Sequence, residues 1–228
     1  MDKEEFRVKL EEINRLVEEK KYADALEVVD SIDWRRVKNV RTLCIVAEIY
    51  AANKRYEDSR EIFLLAYHRA PIGKNILHRL IEISLKMGDL DEAQEYYDEF
   101  EQVAGDDSML HILKYKIQQA RKDPLEERIK NLEEYKEKEF VERWSVELAG
   151  LYFAAGRRED CEKLCDEVIL WFNDGPFVSK ALELKERLKT PGTSIRDDTI
   201  NLEGPVESHV NPPIQEEKDE EQEEKAAV

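Results

Sequence analysis

Apolar residues recur along this chain at the i, i+3, i+4, i+7 spacing that lines one face of an α-helix, and the polar intervals between such runs are short. Leu43, Val46, Ala47 and Tyr50 define one such face. After the link AANKRYED, a second runs through Ser59, Ile62, Phe63 and Ala66. The next pair is Leu77, Leu80, Ile81 and Ser84, then Ala93, Tyr96, Tyr97 and Phe100, separated by Gly88-Asp89. A third pair is Leu148, Ala149 and Tyr152, then Cys161, Leu164, Cys165 and Val168, with Gly156 between. The first pair is looser, with Phe6, Leu10, Ile13, Leu16 and Val17 ahead of Ala25, Val29 and Ile32. Links this short force antiparallel neighbours, so the pattern predicts helical hairpins.

The hairpins repeat. Steps of 34 residues land on Tyr22, Tyr56, Leu90, Pro124 and Arg158, and four of these stops open similar phrases: YADALEVVDSI, YEDSREIFLLA, LDEAQEYYDEF and REDCEKLCDEV. A fixed period of this length predicts a stacked solenoid, in which no unit can bury its apolar face alone. The units fall near 6–39, 40–73, 74–107, 108–141 and 142–175, with Pro71 closing the second. The fourth is degenerate. It has Leu110, Leu113, Ile117 and Ala120, but Glu127 stands where the others carry a small residue. Asp123-Pro124 predicts an N-cap with proline at the first helical position, then a helix of Leu125, Ile129, Leu132 and Tyr135 displaced by about one residue. After Asn173-Asp174-Gly175-Pro176, residues 176–189 predict a capping helix with Phe177, Ala181, Leu184 and Leu188 inward and a polar outer face. The expected domain is 1–189, followed by a disordered acidic tail at 190–228.

Tyr56, Ser59, Phe63, Ala66 and Pro71, and likewise Gly88, Ala93, Tyr97 and Phe100, resemble the tetratricopeptide repeat family, over roughly Phe6 to Gly175. The resemblance implies an all-α, right-handed α-solenoid of about five such hairpins plus the cap. It also implies a groove lined by the first helix of each hairpin, used to bind proteins or peptides. Carried onto this chain, the groove residues are Asn14, Arg41, Glu48, Asn75, His78, Arg79, Lys116 and Arg143. Arg41, His78, Arg79, Lys116 and Arg143 form a basic thread suited to carboxylates of an extended peptide. Some family members clamp a chaperone's C-terminal carboxylate with a Lys, two Asn, another Lys and an Arg, where this chain has Leu10, Asn14, Ile45, Asn75 and Arg79, so both lysines are missing. Of that clamp only Asn14 and Arg79 agree, which argues against this use.

Charge sharpens the expectation about partners. The formal net charge is −17, of which −8 falls in 190–228. Such a chain repels phosphate backbones, so no nucleic-acid partner is expected. The opening MDKEEFRVKLEEINRLVEEK has no basic, apolar signal pattern, and no run reaches the roughly 18–20 apolar residues that span a bilayer. The expectation is a cytoplasmic protein with no membrane partner, its oligomeric state left open. Cys44, Cys161 and Cys165 lie within apolar helical patterns, which predicts buried thiols and no metal or disulfide framework.

His68, His78, His111 and His209 show no metal-binding or catalytic spacing, and carboxylate pairs such as Glu11-Glu12 and Glu133-Glu134 read as solvated charge. No cofactor and no enzymatic activity are expected. Trp144 and Trp171 are expected in the core of the fifth unit. The function that follows is a non-enzymatic adaptor or scaffold; the alternative is a regulatory or scaffold segment of a larger assembly, engaged through the tail. In that tail, Asp197-Asp198-Thr199-Ile200 offers a threonine behind two acids, a context for phosphorylation.

Overall fold

The computed structural model describes residues 2–70 and 73–189. Pro71 and the whole expected tail, Thr199 included, lie outside them. Among the described residues there are eleven α-helices, one 3-10 turn and no strand. They fall into two compact units on either side of the Pro71–Ile72 link. The expected all-α solenoid of helical hairpins is the observed fold.

The first unit holds α1 (Lys3–Glu18), α2 (Tyr22–Val29), α3 (Val40–Ala52) and α4 (Tyr56–Arg69). Its core is the set the periodicity picked out, with Ile13, Leu16, Ala25, Val29, Leu43, Val46, Ala47, Phe63 and Ala66 all buried. Trp34, on the 3-10 turn Trp34–Arg36, fills the gap left by the eight-residue α2 and donates its indole N–H to Val29 O at 3.0 Å. Asn53 Nδ2 donates to Tyr22 O at 2.8 Å, tying the end of α3 to the start of α2.

The second unit holds α5 (Lys74–Met87), α6 (Leu90–Ala104), α7 (Met109–Arg121), α8 (Leu125–Lys138), α9 (Glu142–Ala154), α10 (Arg158–Phe172) and α11 (Pro176–Lys189). A continuous core runs from Ile112 and Tyr115 through Leu148, Ala149, Cys161, Leu164 and Cys165 to Ala181 and Leu184. Polar ties across successive hairpins join residues about one period apart. Lys74 Nζ meets Asp107 Oδ2 at 2.6 Å, 33 residues on, and Lys136 Nζ meets Glu167 Oε2 at 2.6 Å, 31 residues on.

The period is written into the backbone as well. The left-handed residue that ends the first helix of each hairpin is Lys20, Lys54, Gly88, Lys122 or Gly156, with φ between 57° and 79° at all five. These positions are 34 residues apart throughout. Only Gly88 and Gly156 meet the requirement without Cβ strain; the three lysines accept the strain that a side chain suffers at positive φ.

The fourth hairpin keeps this turn and slips directly after it. Asp123 N–H closes the end of α7 by donating to Gln118 O at 2.9 Å, as Lys21, Arg55, Asp89 and Arg157 do to Leu16, Tyr50, Ser84 and Tyr152 in the other hairpins, so the slip begins one residue later. Pro124, expected at the first helical position, is extended at φ −50° and ψ 139° and becomes the N-cap. Thus α2, α4, α6 and α10 begin on the stops of 34, and α8 begins one residue late. The slot that is fully buried as Ala25, Ser59, Ala93 and Cys161 falls to Arg128, 4% exposed, with Nε donating to Asp123 O at 3.1 Å. Glu127 is exposed.

A repeated clamp records the same slip. Tyr50 donates to Asp30 at 3.1 Å, while Arg55 grips Asp30 at 2.7 Å and stacks 4.9 Å over the Tyr50 ring. Tyr152 donates to Glu133 at 2.8 Å, while Arg157 reaches Glu133 at 3.1 Å and stacks 4.3 Å over the Tyr152 ring. The tyrosine and arginine recur after 102 residues, three periods, but the acid recurs after 103, because Glu133 is on α8. Glu133 is therefore a tied carboxylate and not the solvated charge expected from the sequence.

Lys54→Gly should raise stability by about 0.5–1 kcal/mol by removing left-handed strain, and Gly88→Ala should lower it by about 1 kcal/mol, both read as urea midpoints. Ala93→Leu, at a packed slot, should cost about 1–3 kcal/mol in the same assay. Glu127→Ala should stay within about 0.5 kcal/mol of the parent; a loss like that at Ala93 would contradict the slipped register.

Candidate functional site

The structure places the sequence candidates in two sets. In the first unit, Asn14 is half-buried on α1, Arg41 is exposed in the first turn of α3, and Glu48 is half-buried on α3. Burial, with the charge of Glu48 adding to it, pushes the Cys44 thiol up to about 11. In the second unit, Asn75, His78 and Arg79 lie on α5, Lys116 on α7 and Arg143 on α9.

Three of those five converge on a carboxylate. Glu82 Oε2 accepts from Arg79 Nη1 at 2.5 Å and Glu82 Oε1 accepts from Lys116 Nζ at 2.5 Å, while His78 Nε2 lies 3.5 Å from Oε1. Helical geometry accounts for the convergence: His78 and Arg79 precede Glu82 by four and three residues on one face of α5, and Lys116 follows it by one period. Burial opposes the Glu82 charge, but His78, Lys116 and Arg79 outweigh that cost and hold the carboxyl well below the usual carboxylate range. The thread of cations is thus partly neutralised from within. Asn75, exposed, sits one turn before His78.

A second carboxylate lies beside Arg143. Glu147, 4% exposed, accepts from Tyr115 Oη at 2.5 Å and from Gln119 Nε2 at 3.4 Å. Burial raises its pKa against the Tyr115 hydrogen bond and the charges of Arg143, Lys180 and Arg128. Arg143 itself stacks 4.9 Å over the Trp144 ring, which meets Tyr115 edge-on at 6.1 Å. Glu147, Tyr115 and Lys180 escaped the sequence reading. No periodic signal marked Glu147, because the same slot holds Glu11, Ile45, Arg79 and Leu113, charged and apolar in turn.

Charge in this unit divides by layer. The first helices α5, α7 and α9 carry seven lysines and arginines against three carboxylates, a balance of +4. The second helices α6, α8 and α10 carry six against sixteen, a balance of −10. In a chain of net charge −17, the first-helix layer is a cationic island. Such a face attracts carboxylates, and its arginines can pair with them in two-point geometry.

Elsewhere the chemistry is quiet. Among the described residues no group of three or more His, Cys, Asp or Glu side chains is placed to hold a metal ion. Cys161 and Cys165 are fully buried in the core. Trp144 is half-buried against the core as expected, but Trp171 is not: it is 70% exposed, because the core side of α10 is already taken by Cys161, Leu164, Cys165 and Val168. No described helix is long and apolar enough to cross a membrane.

The two buried acids predict opposite responses to pH. Glu82, with its folded pKa depressed, contributes stability present above its unfolded value near about 4.3 and lost as pH falls below it. Glu147, with its folded pKa raised, favours the fold below that value, a contribution lost as pH rises through the folded pKa. Urea midpoints from acid to neutral pH should show Glu82→Gln costing about 1–3 kcal/mol at pH 7 and flattening the acid limb. Glu147→Gln should instead keep or raise stability at pH 7. Equal losses in both variants would contradict these assignments.

No protein-family model and no curated protein matches the chain. Among solved structures it is similar to MamA 41-end from Desulfovibrio magneticus RS-1, with a TM-score of 0.56 and 14% identity, over 81% of this chain and 97% of that one. It is also similar to the MamA RS-1 ArsTM double mutant, with a TM-score of 0.56 and 13% identity, over 79% of this chain and 94% of that one. At such identities the likeness speaks to architecture, and the fold of this chain is a tetratricopeptide-like α-solenoid.

Proposed function

We propose that this chain is a protein-binding scaffold whose second unit takes an extended, carboxylate-bearing segment of a partner on its first-helix layer. The observation that carries the reading is the division of charge: +4 on α5, α7 and α9 against −10 on α6, α8 and α10. Solvated helices with no partner to select need no such sorting. Lys116 and Arg143 are the cations proposed to meet the partner, with Asn75 and His78 flanking them and Arg79 holding Glu82 in place. Glu82 and Glu147 would keep these cations from repelling one another while the site is empty, leaving a net positive face. Charge selects the partner in this reading, and the Arg143–Trp144 stack supplies an anchor of the type that dominates interface energetics. A polyanion such as nucleic acid would meet the same layer but the field of the whole −17 chain as well. In the first unit, Asn14, Arg41 and Glu48 remain candidate groove residues. Binding, not turnover, is the proposed role.

The test is affinity capture with the full chain against a Lys116→Gln/Arg143→Gln variant, after circular dichroism shows equal helicity. Loss of two charge-assisted contacts should weaken specific partners by about tenfold or more. Partners retained in full by the variant would overturn the assignment of the site.

A further inference from the structure

The end of the second unit is not sealed as a polar cap. Leu170 and Trp171, in the last turn of α10, are 73% and 70% exposed, and Leu182 on α11 is 50% exposed. The Lys185–Asp166 ion pair sets the register of the antiparallel α10 and α11. Leu170 lies one turn beyond Asp166 and Leu182 one turn before Lys185, so that pair brings the two leucines side by side. Leucine and tryptophan left this open, on adjacent helices, form an apolar patch of the kind that marks an interaction site. The patch continues along the outer face of α10, which carries Glu159, Glu162, Lys163, Asp166 and Glu167. Asp166 is held by Lys185 and Glu167 by Lys136, whereas Glu159 and Glu162 enter no ion pair among the described residues.

We propose that this outer face of α10 and α11 is a second docking surface, which takes a cationic amphipathic helix of a partner protein with its apolar side on Leu170, Trp171 and Leu182. Charge decides between the possible occupants. Of the two helices α10 carries −3 and α11 +2, so the acidic part of this face is on α10, and the chain's own residues 190–228, at −8, would bring like charge to its Glu159 and Glu162. A second copy would bring its own Glu159 and Glu162 against the same two carboxylates. A helix with lysines or arginines beside its apolar stripe fits both features: its leucines cover the patch and its cations meet Glu159 and Glu162. The acidic part of this surface, on α10, is distinct from Lys116 and Arg143, so one molecule would hold an acidic segment at those cations and a basic one at Glu159 and Glu162.

The probe is a fluorescein-labelled synthetic helix of leucine and lysine with a single apolar face, compared with a permuted peptide of the same composition that has none. Anisotropy is read with the full chain at physiological ionic strength. The amphipathic peptide should bind, and Leu170→Ser/Trp171→Ser should weaken it by at least about tenfold with net charge unchanged. Glu159→Gln/Glu162→Gln should weaken it and reduce its salt dependence, whereas Lys116→Gln/Arg143→Gln should leave it unaltered. Equal binding of the permuted peptide would reduce the effect to bulk charge and overturn the proposal. So would unchanged affinity in the Leu170→Ser/Trp171→Ser variant, or sedimentation of the parent as a dimer that this variant dissociates.

Discussion

Each hairpin of this chain is held by groups that lie about one period away along the sequence, and the rest of the structure follows from that requirement. A pair of helices of about fourteen residues each cannot enclose its own apolar face. It must expose one side to the next pair, and the polar groups at the seam must find partners there. Lys74 with Asp107, Lys116 with Glu82, Tyr115 with Glu147 and Lys136 with Glu167 are all such partners, 31 to 34 residues apart. The left-handed turn at Lys20, Lys54, Gly88, Lys122 and Gly156 makes the repeat possible, since it fixes where each second helix can begin. Where one residue is inserted after that turn, at Pro124, the helix α8, its small-residue slot and the acid of the tyrosine clamp all move by one together.

The same constraint organises charge. First helices meet first helices across the seam, so Lys116 on α7 finds Glu82 on α5 and Tyr115 on α7 finds Glu147 on α9, while Arg121 at the end of α7 reaches Gln94 on α6. Carboxylates on this layer are few, and Glu82 and Glu147 are each surrounded by cations. The surplus positive charge therefore accumulates on one layer, while the second helices, freer of one another, carry the acids. An interaction surface arises here from the packing of the repeat and requires no special loop.

Much of this was legible in the sequence because periodicity reports burial. Ala25, Ser59, Ala93 and Cys161 announce a tight slot by size alone, and the stops at Tyr22, Tyr56, Leu90 and Arg158 coincide with helix starts. The one-residue slip of α8 was readable from Leu125, Ile129, Leu132 and Tyr135. The role of Pro124 was not: Asp123-Pro124 looks like an N-cap followed by the first helical residue, whereas Pro124 is extended and is itself the N-cap. Lysines at left-handed turns were invisible because glycine is the usual signal. The basic thread was recognisable, but not that Glu82 ties three of its members: His78 and Arg79 share its face of α5, while the contact with Lys116 depends on side-chain reach between helices. Trp171 misled because a tryptophan at an apolar stretch suggests core, and only the observed packing of α10 shows that the core side was already full.

The central claim is that seams between hairpins join residues one period apart. Zero-length carbodiimide cross-linking of the full chain, read by mass spectrometry, addresses it directly, because it joins only amines and carboxylates already in contact. Links are expected from Lys116 to Glu82, Lys136 to Glu167 and Lys74 to Asp107. Links confined to pairs within one helix, such as Lys9 with Glu5 or Lys130 with Glu134, with none at the one-period separation, would contradict it.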